Sequence, residues 1–126
     1  MRADGFSFRK RIKSFYYAFS GIKQLVVSEH NAWIHCIAAL LVVLAGWWLR
    51  ISSMEWVAVT IVIGAVMAAE AINSSIEVLC DLVSPDYHPA IKRVKDLAAG
   101  AVLLMAIAAA VVGLIIFVPK LIALFV

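Results

Sequence analysis

Glu70, Asn73, Glu77 and Asp81 interrupt an apolar stretch that begins at Trp56, at spacings of three, four and four residues. That spacing puts all four on one face of a helix. Carboxylates at membrane depth are costly without partners, so a row of them reads as a working site. The plainer alternative is polar glue between helices, but three acid-bearing turns carry more negative charge than glue requires. A cation, a metal ion in particular, belongs beside them.

Composition sets the solvent. Hydrophobic residues make up 65% of 126 and mean hydropathy is +1.02, against roughly half apolar residues in a soluble domain. Leu97 to Val118 is 22 residues without a charge, enough to cross a hydrocarbon core of about 30 Å. Ala32 to Leu49 is a second candidate span, interrupted by His35, and Trp56 to Val83 is the third. The expectation is an all-α membrane protein, one domain over residues 1–126. Its transmembrane helices are predicted at about 32–49, 56–83 and 97–118, with a surface helix over 1–30 and a loop over 84–96. No small-residue cleavage site follows an early apolar run, so no cleaved signal is expected.

Lys and Arg predict the orientation. Arg2, Arg9, Lys10, Arg11, Lys13 and Lys23 precede the first span, and Lys92, Arg93 and Lys95 lie between the second and third. Arg50 and Lys120 fall on the other side, so nine of eleven basic residues share one face. The N-terminus and the 84–96 loop are expected in the cytoplasm of a multi-pass protein of a bacterial inner membrane. The polar row on the second span then ends at the side where ATP is found.

The first thirty residues carry a stripe of Phe8, Ile12, Phe15, Phe19, Ile22 and Val26, spaced by three or four. Arg9, Lys10, Lys13 and Lys23 lie largely outside it. An amphipathic helix with a basic polar side lies in the headgroup plane. Simple anchoring explains its cations as well as a ligand role does. Glu29 closes this segment, where one acid is also consistent with a surface charge, and Tyr17 with an interfacial aromatic.

Between the later spans, Ser84-Pro85 breaks the helix, and Asp86, Tyr87, His88 and Pro89 follow. Lys95 beside Asp96 at the mouth of a span is either an ordinary interfacial pair or a cation for polyphosphate held by a carboxylate. Other chemistries are missing. The six glycines are dispersed and no phosphate-cradling loop is present. His30, His35 and His88 lack zinc-ligand spacing. Cys36 and Cys80 are packing residues. Trp33, Trp47, Trp48 and Trp56 fall near span ends, as an interfacial belt does. The basic face belongs to a membrane-lying helix, so nucleic acid is not an expected partner.

The run Glu70-Ala71-Ile72-Asn73-Ser74-Ser75-Ile76-Glu77, with Asp81, Asp86-Tyr87-His88 and Lys95-Asp96 downstream, closely resembles the signature of the small prokaryotic diacylglycerol kinase family. That family includes diacylglycerol kinases and undecaprenol kinases, and the resemblance covers essentially the whole chain. It implies an ATP-dependent lipid kinase acting as a homotrimer with sites between subunits. Glu70 matches the catalytic base at the lipid hydroxyl, with Asn73 and Trp48 also assigned to the lipid substrate. Glu29 and Glu77 match the carboxylates that hold Mg2+ against the nucleotide phosphates. Lys10, Tyr17, Asp86, Tyr87, His88, Lys95 and Asp96 match nucleotide-binding positions. The loop from Ser84 to Pro89 and the run Ala98-Ala99-Gly100-Ala101-Val102 look more like the undecaprenol branch, which favours undecaprenol over diacylglycerol as acceptor. One departure is Trp33, where many members of that branch carry a basic residue before Ile34-His35. A helix-packing role for His35 is favoured over a substrate contact.

Physical chemistry is compatible with these roles. Phosphoryl transfer relies on positioning and charge neutralisation, and Mg2+ needs one or two carboxylates besides the phosphates. The alternative function is a small transport or scaffold protein with intramembrane carboxylates. A proton pathway calls for one isolated acid, whereas these acids cluster at one mouth beside a cationic loop.

Overall fold

The computed structural model describes residues 5–126, so Arg2 of the basic N-terminal group lies outside the described residues. Four helices follow in order: α1 (Phe8–Ser28), α2 (His30–Trp48), α3 (Ser53–Val83) and α4 (Pro89–Phe125). The last three are long and apolar enough to cross a membrane.

Local chemistry explains each boundary. Ser7 caps α1 by accepting from the Lys10 amide, and Glu29 leaves the helix with φ −101° and ψ 116°. A reciprocal capping box between Ser52 and Glu55 starts α3, three residues before the span predicted from Trp56. The α2–α3 turn is a Schellman motif. The Ile51 amide donates to the Gly46 carbonyl at 3.1 Å and the Arg50 amide to Trp47 at 3.4 Å. Arg50 takes φ 53° to allow this, a left-handed conformation that costs a non-glycine residue about 1–2 kcal/mol.

The region read from sequence as an 84–96 loop is mostly helix. His88 caps α4 through Nδ1, which accepts from the Ala90 amide at 3.1 Å. Pro89 occupies the first helical position, where its missing N–H costs nothing. The charges that looked loop-like sit on good helix formers, and only residues 84–88 connect the two helices. At its other end α4 runs past Pro119 to Phe125.

Helices α3 and α4 form the main antiparallel seam, with an ion pair at each end. Lys95 Nζ lies 2.5 Å from Asp81 Oδ1, and Lys120 Nζ lies 3.1 Å from Glu55 Oε1. Along either helix the two pairs are about 38 Å apart, more than a hydrocarbon core of about 30 Å. Arg50 and Lys120 therefore share one end of the bundle, and Lys92, Arg93 and Lys95 the other.

Apolar packing concentrates at the Arg50 end. Ile51, Val59 and Ile116 are buried there against Val42, Trp56, Ile63, Val112 and Phe117. Gly46 permits this approach, since a Cβ on it would meet Ile51 Cδ1 and Trp56 Cη2 at 3.0 Å. Elsewhere large apolar side chains cover the outside of the bundle, including Leu40, Leu79, Leu104 and Ile115, as lipid solvent requires. Gly46→Leu is expected to destabilise the bundle by about 1–3 kcal/mol through overpacking. Thermal unfolding in detergent checks this, and an unchanged midpoint would mean that α2 and α3 are less closely apposed than described.

Candidate functional site

The polar face of α3 grades from buried to exposed. Glu70 is 1% exposed and Asn73 6%, Glu77 is half-buried, and the Asp81 side chain is 67% exposed. All four share one face, as the spacing requires. Glu70 lies about 16 Å of helix rise below Asp81, so one face joins an aqueous mouth to a dry interior.

Helix α2 walls the buried end. His35 Nε2 stands 3.7 Å from Glu70 Oε2, and the Asn31 side chain, one turn earlier, lies beside the same carboxylate. Glu29 and Glu77 are the acids whose charges act on Glu70. Among the described residues three buried polar side-chain atoms have no protein hydrogen-bond partner: Glu70 Oε2, Asn73 Oδ1 and Ser74 Oγ. Leaving such groups unpaired costs about 1–3 kcal/mol each.

An apolar cavity of about 320 Å³ opens below this cluster, between α2, α3 and α4. Val66 and Met67 line it one turn from Glu70, with Ala38, Ala106 and Gly113 across from them. His35 is the polar residue of its wall.

Glu29 sits at the non-helical joint between α1 and α2, where its carbonyl accepts from the Trp33 amide at 3.2 Å. Trp33 Nε1–H also donates to the Val26 carbonyl near the end of α1, and its ring meets His30 edge-on. The residue that departs from the undecaprenol-branch pattern thus braces this joint.

At the mouth the pairing differs from the sequence reading. Asp96 does not hold Lys95. It holds Lys92 at 2.6 Å, while Lys95 is held by Asp81 of α3. Adjacent residues on a helix diverge, whereas i,i+4 neighbours meet, and once α4 starts at Pro89 the Lys95–Asp96 pair is ruled out. Asp81 belongs to the polar row seen in the sequence and Asn31 to no motif, and only the helix packing reveals the partners of both.

Other positions are not drawn into the cluster. Leu25 is the buried residue of α1, so that helix rests on the bundle at its C-terminal end. Tyr17 and Lys10 are exposed further out, Lys10 about 22 Å of helix rise from Leu25. Asp86, Tyr87 and His88 form the exposed connection at the mouth. Trp48 is at the far end of α2, about 20 Å from His35, beside Trp47, Arg50 and Trp56.

Oxygen donors dominate the α3 face, and a hard divalent cation takes oxygen ligands. Among the described residues no three His, Cys, Asp or Glu side chains form a metal cluster. One or two carboxylates suit a divalent cation that keeps waters and binds substrate phosphates.

The mouth geometry makes a prediction. Asp81→Asn is expected to speed acylation of the Lys95 amine by an activated ester, read by mass spectrometry. Asp96→Asn should instead speed labelling of Lys92 and leave Lys95 unchanged. The reverse pattern would overturn the pairing.

Comparisons agree on one family. The profile described as prokaryotic diacylglycerol kinase matches residues 16–117. The chain is 38% identical over 109 residues to the undecaprenol kinase of Bacillus subtilis, covering 86% of this chain and 89% of that one. It is 36% identical over 114 residues to a diacylglycerol kinase of Synechocystis, covering 90% of this chain and 65% of that one. It is 30% identical over 104 residues to the diacylglycerol kinase of Escherichia coli K12, covering 82% and 85%.

Proposed function

We propose a specific reaction for this chain, which belongs to the prokaryotic diacylglycerol kinase family and is a membrane lipid kinase: transfer of the γ-phosphoryl group of ATP to undecaprenol. The observation that carries the reading is Glu70, a buried carboxylate with an unpartnered oxygen, one helical turn from an apolar cavity lined by Val66 and Met67. An acceptor reaching that oxygen arrives with its hydrocarbon tail in the membrane and its hydroxyl at the acid. Undecaprenol is favoured over diacylglycerol by the loop and the small-residue run, and by the greater identity to the relative named for it.

In this reading Glu70 takes the proton of the lipid hydroxyl as general base. The hydroxyl oxygen bonds to the γ-phosphorus, and the bond to the β-phosphate breaks, releasing ADP. Glu29 and Glu77 would hold Mg2+, which when bound would neutralise charge on the phosphates, and Asn73 offers its free oxygen nearby. Lys95, aimed by Asp81, presents a compact charge to the phosphates at the mouth. Asp96 contributes there through Lys92, together with Asp86, Tyr87 and His88. Lys10 and Tyr17 approach from α1, which lies in the headgroup plane with its apolar stripe towards the lipid. Trp48 meets the tail of a long acceptor rather than its hydroxyl.

The mouth faces the cytoplasm, following the basic residues. The assembly is a homotrimer, consistent with the small residues Ala98 to Ala101 that permit close helix approach. The transport or scaffold alternative is not favoured.

Glu70→Gln tests the reading. It keeps the size but cannot take the proton, and is expected to lower lipid phosphorylation by about 10²- to 10⁴-fold while nucleotide binding persists. Labelled ATP offered with undecaprenol and diacylglycerol in parallel measures both this and the acceptor preference. Wild-type turnover in Glu70→Gln would remove the base assignment, and a higher kcat/KM for diacylglycerol would reverse the preference. Glu77→Ala is expected to abolish activity or to raise the Mg2+ requirement steeply, and Glu29→Ala to act in the same direction. A magnesium titration checks this, and native dependence in both variants would place the ion elsewhere.

A further inference from the structure

We propose that the outward face at the start of α4 binds an anionic phospholipid, with its phosphate at Arg93 and Lys92 and an acyl chain in the recess at Gly100. The site lies apart from Glu70 and is independent of which alcohol the enzyme phosphorylates.

The sequence of α4 sets charge above apolar surface on a single face. At about 100° per residue, Pro89, Arg93, Leu97, Gly100 and Leu104 fall within one sector of the helix. They line a groove of about 720 Å³, with Lys92 and Asp96 along its edge. Gly100 stands about 140° round the helix from Lys95, which meets Asp81 of α3. The groove is therefore on the far side of α4 from the seam, and all its lining residues belong to α4.

The charged end suits a phosphate. Asp96 is held by Lys92 at 2.6 Å, which leaves Arg93 as the net charge of the groove. Arg93 is exposed and has no ion pair among the described residues. Its guanidinium is a planar fork that matches phosphate oxygens. Lys92 has three donors, so it can keep Asp96 and still reach the same phosphate. The N-terminus of α4 adds positive partial charge at this level. Long side chains on a helix lean towards its N-terminus, which carries the Arg93 head up to the headgroups.

The apolar end suits a chain. Leu97 and Leu104 are exposed ledges on either side of Gly100. A Cβ on Gly100 would meet nothing within 4 Å, so no packing inside the chain calls for a residue this small. The recess it leaves is about 10 Å of helix rise below Arg93, at the depth of acyl chains.

Charge selects the occupant. A zwitterionic lipid brings its own cation next to Arg93, whereas an anionic one brings only the counter-charge. A second copy packed face to face on this groove would set Arg93 against Arg93 at one depth. Most basic residues of the chain lie towards this end, and the anionic cytoplasmic leaflet attracts such residues.

The test uses the full-length chain in uncharged detergent with equimolar phosphatidylglycerol and phosphatidylcholine of the same acyl chains. Native mass spectrometry counts the lipids retained. The wild type is expected to retain phosphatidylglycerol in preference to phosphatidylcholine. Arg93→Gln should weaken this about fivefold and Arg93→Glu about 30-fold. Gly100→Leu fills the recess and should also lower retention several-fold. Arg50→Gln, at the opposite end of the bundle, should leave it unchanged.

Equal retention of the two lipids by the wild type would overturn the proposal, as would undiminished phosphatidylglycerol binding in Arg93→Glu. An equal loss in Arg50→Gln would also overturn it, by showing that net charge and not this face is sensed. Displacement of the lipid by millimolar inorganic phosphate would make the groove a site for free anions instead. A changed oligomeric state in Gly100→Leu with lipid retention intact would assign the face to a second copy. Should Gly100→Leu fail to fold, the two Arg93 variants decide.

Discussion

Glu70 is closed off from solvent on α3, yet one of its oxygens meets no hydrogen-bond donor among the described residues. A charged or polar group so placed is costly, and the surrounding structure is arranged around that cost. Asn31 and His35 come from α2 on one i,i+4 face to wall the carboxylate. Apolar packing is displaced to the opposite end, where Gly46 lets α2 approach Ile51 and Trp56. Between the dry acid and that apolar knot lies the cavity.

The two ends of the bundle do different work. At the Arg50 end, a capping box, a Schellman turn and the Glu55–Lys120 pair fix backbone and register. At the mouth, the Asp81–Lys95 and Lys92–Asp96 pairs are largely exposed. Exposed pairs add little stability, so their value lies in where they hold charge. Glu29 belongs to this end through the joint between α1 and α2, which Trp33 braces.

Much of this was legible in the sequence because it depends on local periodicity. The face shared by Glu70, Asn73, Glu77 and Asp81 follows from helix geometry alone, and the apolar spans follow from length. What escaped was set by neighbours from other helices. Nothing local connects His35 or Asn31 to Glu70, or Asp81 to Lys95. Lys95 and Asp96 are adjacent in sequence but point apart on a helix that begins at Pro89, so each pairs elsewhere. The start of α4 is encoded in His88-Pro89, a cap followed by a proline. Lys10 and Tyr17 stayed undetermined because α1 touches the bundle only near its end.

The seam between α3 and α4 also bears on the surrounding lipid. Two helices packed side by side and tied near both ends resist sliding past one another. The uncharged run of α4 between the ties, Leu97 to Val118, rises about 33 Å, slightly more than an average hydrocarbon core. A mismatch of this kind is absorbed by tilting the helices together or by deforming the bilayer around them, at a modest cost for each ångström. In thin membranes the pair leans further, and Glu70 moves closer to the headgroups. Bilayer thickness thereby sets how deep in the lipid an alcohol must sit to meet the acid.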